Sequence, residues 1–110
     1  MELRQLAALI TLLEQVRRRP GMFLGGVEHQ LLWAYLDGLY TGFELLDHKP
    51  DLAQLHTILH ERGWRTDTAL GAYPDMREKG LSAAAIIDQE LAIHIELWQR
   101  IYRSLSESDG

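Results

Sequence analysis

The sequence predicts an all-α protein, a compact bundle of four to five helices. Three observations carry that expectation. Apolar residues recur at intervals of three and four along most of the chain, the spacing that lines one face of a helix. Pro20, Gly63 and Gly80 stand where those runs stop. With 46% apolar and 25% charged residues in 110, the composition is that of a globular domain with one core, far from the highly charged, weakly apolar regime of disordered chains. A chain of this size removes roughly 65% of its unfolded surface from water on folding. Residues 1–110 are expected as a single helical domain, with 104–110 frayed.

From Glu2 to Arg18, Leu3, Leu6, Ile10 and Leu13 run alongside Leu9, Leu12 and Val16, giving a helix with a wide apolar arc. Arg17, Arg18 and Arg19 suit its carbonyl end, and Pro20 ends it by removing a helical hydrogen bond. Pro20-Gly21 reads as the centre of a type II turn. Met22, Phe23 and Leu24 then form an apolar plug expected to fold back on the core, since each costs about 1.5–3 kcal/mol if left in water.

Residues 28–47 read as a second helix, with Leu32, Leu36, Leu39, Phe43 and Leu46 as its inner stripe. Gly38 and Gly42 weaken this helix, so either another backbone approaches them closely or they are simply tolerated. Pro50 opens a third helix carrying Leu52, Leu55 and Leu59 and stopping at Gly63. The pattern weakens from Trp64 to Gly80, where Pro74 to Lys79 is expected to make one or two turns. Ser82 is a favourable N-cap for the last helix, from Ala83 to about Leu105, striped by Ile87, Leu91, His94, Trp98, Ile101 and Leu105.

The net charge of −5 is unevenly placed. Residues 1–27 hold four basic and two acidic groups, 28–51 one basic and five acidic, and 81–110 two basic and five acidic. With basic residues clustered only at Arg17 to Arg19, nucleic acid is not the expected partner. The N-terminal apolar run is interrupted by polar residues and matches neither a signal peptide nor a membrane span, so a cytoplasmic protein is expected. Cysteine is absent, which removes thiolate nucleophiles, thiolate metal sites and disulfides.

His56 and His60, at i and i+4, have the spacing of a shared metal site, but no third ligand is assigned by spacing and a solvent-facing pair is the simpler reading. His94 lies in the apolar seam of the last helix, as a buried base or as a core histidine satisfied by one hydrogen bond. No catalytic constellation, cofactor loop or metal site is expected, and the chain is not expected to be an enzyme. The acidic residues Asp37, Glu44 and Asp47, with Thr41 among them, and Asp88 and Glu96 on the last helix, read either as an ordinary solvated surface or as the candidate partner-binding surface.

The run Leu13 to Gly25, containing Arg17-Arg18-Arg19-Pro20-Gly21-Met22-Phe23-Leu24-Gly25, is similar to a signature near the N-terminus of the ATPase subunits of DNA gyrase and topoisomerase IV. In that family the following helix supplies a catalytic glutamate and a magnesium-binding asparagine. Aligned through His29, those positions fall on Trp33 and Asp37, so the resemblance does not bring the ATPase chemistry with it. The same signature, followed by Tyr35-Leu36-Asp37-Gly38-Leu39-Tyr40, resembles a group of small bacterial helical proteins, and small acidic helical proteins of this kind resemble immunity proteins. The expected function is therefore a non-catalytic immunity protein that occludes a basic intracellular toxin. The alternative is a homo-oligomeric structural or adaptor protein using the arc of the first helix or the long last helix.

Overall fold

In a computed structural model the described residues, which are 1–46, 48, 52–66 and 71–109, fold as six helices with no strand among them. They are α1 (Leu3–Arg18), α2 (Pro20–Leu24), α3 (His29–Leu45), α4 (Leu52–Glu61), α5 (Tyr73–Glu78) and α6 (Ala83–Asp109). The last, 27 residues long, spans about 40 Å and sets the longest dimension, 43 Å. It continues through Asp109, past the stop expected near Leu105, and its final turns are exposed.

Two apolar stripes on α6 divide the core. Ile87, Leu91, Ile95 and Trp98 pack with Leu6, Leu9, Leu13 and Val16 of α1, Leu24, and Leu32 and Leu36 of α3. Ile86, Ile93 and Leu97 pack with Ile58 and Leu59 of α4 and with Ala72 and Met76 at α5. Leu13, Leu32, Ile58, Met76, Leu91 and Leu97 are all fully enclosed.

Local chemistry sets the helix ends. Ser82 caps α6, its Oγ accepting from the Ala85 amide at 3.2 Å. Gly63 and Gly80, at φ 83° and 85°, close α4 and α5. In each case the glycine and the residue after it donate back to the last turn: Gly63 to His60 (3.0 Å) and Trp64 to Leu59 (3.0 Å), then Gly80 to Arg77 (3.0 Å) and Leu81 to Met76 (3.1 Å). That is the left-handed ending in which a side chain at the glycine would be strained.

Three local expectations are corrected. Pro20-Gly21 does not make a type II turn: proline at a first helical position is already set for helix, so α2 starts there and the positive φ falls on Gly25, at 78°. Because α2 is helical, Met22, Phe23 and Leu24 point in three directions. Leu24 enters the core, Phe23 is half-buried against it and Met22 is 74% exposed, so the plug is one residue deep. No close approach occurs at Gly38 or Gly42 either. A Cβ at either position would meet nothing within 4 Å, and both are exposed. The expected helix start at Pro50 and the acidic Asp47 lie outside the described residues.

Unfolding measurements on α2 variants test this placement. Leu24→Ala is expected to cost about 2–4 kcal/mol, and Met22→Ala to stay within about 0.5 kcal/mol of the parent. A large loss at Met22 would mean that the plug closes as a whole.

Candidate functional sites

The acidic residues expected to form one surface are divided by the fold. Asp37, Thr41 and Glu44 are exposed on α3. Asp88 and Glu96, on α6, face a groove of about 610 Å3 lined by Glu14, Arg17, Arg18 and Arg62, to which α3 contributes no residue. Asp88 accepts from Arg17 Nε at 2.8 Å and from its Nη2 at 3.3 Å, and this arginine holds the carboxyl below its ordinary range. Glu96 accepts from Arg62 at 2.9 Å and from Arg100 at 2.8 Å, and Arg100 also pairs with Glu61. The charges of Asp88 and Glu96 are therefore met within the chain.

His56 and His60 are both exposed on α4, and no group of three or more potential metal-binding side chains occurs among the described residues. His94 is held in the α3–α6 seam. The Tyr40 hydroxyl donates to its Nδ1 at 2.7 Å, and the Trp98 indole N–H donates to the Tyr40 oxygen at 3.2 Å. Burial pushes His94 down to about 4 and Tyr40 up to about 12, so near neutral pH the relay is uncharged.

One turn before His94, Glu90 points to the same seam and meets His29, the first residue of α3. The imidazole Nε2 lies 2.7 Å from the carboxylate, with the two side chains 5% and 13% exposed. His29 stacks on Tyr73, with ring centroids 3.9 Å apart, and meets Trp33 edge-on at 4.2 Å. Burial pushes Glu90 up to about 7 and His29 down to about 4. Across mildly acidic pH the pair is therefore a carboxylic acid beside a neutral imidazole.

Sequence reasoning did not find this pair, although a signal was present. Glu90 stands in the apolar series Ile86, Glu90, Ile93, Leu97, spaced four, three, four, which places a carboxylate on a buried face. His29 gave no such sign, because its burial comes from the aromatic rings of Trp33 and Tyr73 closing over it.

A second buried carboxylate, Asp75, ties α5 to the turn after α4. It accepts from the Arg65 backbone N–H at 2.9 Å, from Lys79 at 3.1 Å and from the Arg65 guanidinium at 3.3 Å. The backbone hydrogen bond is the largest influence holding Asp75 below the usual carboxylate range. This arrangement is structural and leaves Asp75 no open face.

No family model matches the chain, and no solved structure matches it. Over 97 residues it is 34% identical to the DNA gyrase B protein of Archaeoglobus fulgidus, a match taking in 83% of this chain and 15% of that protein. The chain therefore spans well under two thirds of the length of the relative it matches. Trp33, which the motif sets at the position of the family's catalytic glutamate, packs against His29 and Tyr73, and Asp37, at that of the magnesium-binding asparagine, is exposed on α3.

The buried groups set a pH dependence. His94, lowered from 6.5 to about 4, gives stability that is complete above pH 6.5 and is lost as pH falls toward 4. His29 acts in the same direction, while Glu90, raised from 4.5 to about 7, acts in the opposite one, so this pair largely cancels between those values. Urea unfolding between pH 6.5 and 5 is expected to fall with a slope approaching about 1.4 kcal/mol per pH unit, and His94→Gln is expected to flatten it. An unchanged slope in that variant would assign the titration elsewhere.

Proposed function

We propose that the chain is a non-catalytic bacterial binding protein of the immunity type, which occludes a basic intracellular toxin through the exposed face of α3. The make-up of that face carries the reading. Ala34, Gly38, Thr41 and Leu45 follow one another at spacings of four, three and four, all exposed, with Asp37 and Glu44 beside them. Each of Gly38 and Gly42 costs the helix about 1 kcal/mol relative to alanine. Neither offsets that cost by packing within this chain, since a Cβ at either site would meet nothing. On the surface they leave a smooth strip that another molecule's backbone can approach closely.

The end of the strip adds an apolar anchor. Leu45 and Leu46 are 82% and 69% exposed. Apolar anchors beside charged groups are the usual composition of a protein interface, and the acidic side chains steer a basic partner toward it. Asp88 and Glu96 lie outside this face, on a groove to which α3 contributes no residue, and pair with arginines there. The cytoplasmic location is part of the same proposal. What bears on it is that no helix among the described residues is long and apolar enough to cross a membrane.

One observation favours a homo-oligomer as the second reading. An apolar groove of about 350 Å3 lies between α1 and α3, lined by Met1, Leu9, Leu12, Leu39, Phe43 and Leu46. Solution mass separates the two: a monomer at low micromolar concentration counts against self-association.

The partner reading is tested by pull-down with the product of the neighbouring gene. Asp37→Lys with Glu44→Lys is expected to slow association by at least about tenfold. Gly42→Ala is expected to raise the stability of the free protein by about 0.5–1 kcal/mol while weakening the complex. Binding unchanged in both variants would remove the α3 face as the interface.

A further inference from the structure

A second site, independent of the α3 partner face, lies at the start of the same helix. The geometry points to a binding site for a small aromatic acid that also carries an O–H or N–H donor, held between Arg77 and the imidazole of His29. The site is a cleft of about 690 Å3 walled by Glu28, His29, Trp33, Tyr73, Arg77 and Ile86. That volume is within the range of small-molecule pockets, about 300–1,000 Å3.

His29 supplies the first contact. Its ring is fixed by the stack on Tyr73, the edge contact with Trp33 and the 2.7 Å bond from Nε2 to Glu90. Among the described residues Nδ1 has no partner and no fully buried side-chain nitrogen or oxygen lacks one, so Nδ1 is not fully buried, and His29 itself lines the cleft. When Glu90 is ionised, the ring proton lies on Nε2 and Nδ1 is an acceptor of fixed direction, which calls for a donor on the ligand.

Arg77 supplies the second contact. Its guanidinium lies 5.8 Å from the centroid of the Tyr73 ring, whose other contacts in the cleft are His29 and Trp33. Unlike Arg62, Arg65 and Arg100, it makes no ion pair among the described residues. A permanently charged fork without a carboxylate is suited to receive one. Glu28, capping α3, and Arg77 on α5 give the cleft groups of opposite sign, so an anionic ligand is oriented with its carboxylate toward α5. Trp33 and Tyr73 between them favour a planar body.

The test is an amide NMR titration of the whole chain at pH 8, above the value of about 7 at which Glu90 ionises, with para-hydroxybenzoate, para-methoxybenzoate, which lacks the donor, and para-hydroxybenzyl alcohol, which lacks the carboxylate. The first is expected to give saturable shifts at residues 28–33 and 73–77, with a dissociation constant of about 1 mM or below, and the other two to bind at least about tenfold more weakly. Arg77→Gln, at an exposed position, is expected to erase the preference for the carboxylate, and His29→Gln the preference for the hydroxyl. If His29→Gln fails to fold, the three probes on the parent and on Arg77→Gln still decide the matter. No saturable shift, shifts centred elsewhere, or equal binding of the three probes would overturn the proposal.

Discussion

The fold depends on one constraint, that α6 must bury two apolar stripes at once. Ile87, Leu91, Ile95 and Trp98 require α1, α2 and α3 on one side, and Ile86, Ile93 and Leu97 require α4 and α5 on the other. A helix apolar over so wide an arc is stable only when enclosed. The polar groups on α6 near the junction of those stripes, Glu90 and His94, are consequently drawn out of water and need partners. His29 meets Glu90, while Tyr40 with Trp98 meets His94. The buried chemistry of this protein is thus a consequence of how its longest helix is shared.

Much of this was legible in the sequence because it follows from local period and local stop signals. The stripes of α1, α3, α4 and α6 were set by residue spacing, except that Leu46 and Leu105, expected to close the inner stripes of α3 and α6, are exposed, and Gly63 and Gly80 ended helices where their backbone freedom is needed. What failed was of another kind. Whether Pro20-Gly21 begins a helix or a type II turn rests on the flip of one peptide plane, the ψ of Pro20 with the φ of Gly21, and the chain takes the helical setting there. The close approach expected at Gly38 and Gly42 depended on which face of α3 meets α6, which a period alone does not orient.

The candidate sites were less legible for the same reason. Asp37, Thr41 and Glu44 were placed on one surface by helical spacing within α3, and spacing suffices there. Joining them to Asp88 and Glu96 required knowledge of how α3 and α6 pack, and the fold gave those two acids arginine partners instead. His29 and Glu90 are 61 residues apart. Their pairing is a tertiary fact, visible beforehand only as a carboxylate out of place in an apolar stripe. The exposed strip on α3 and the cleft at its start therefore stand as two surfaces of one helix, one polar and smooth, the other aromatic and enclosed.

Native-state amide hydrogen exchange tests the central claim about α6 most directly. If both halves of the core close on this helix, the amides from Ile86 to Trp98 exchange only through global unfolding, and their opening free energies match the total stability of the protein. The same amides exchanging through a lower-energy opening, in step with α4 and α5 while α1 stays protected, would contradict it. That result would make α6 part of one half, instead of the wall that both halves share.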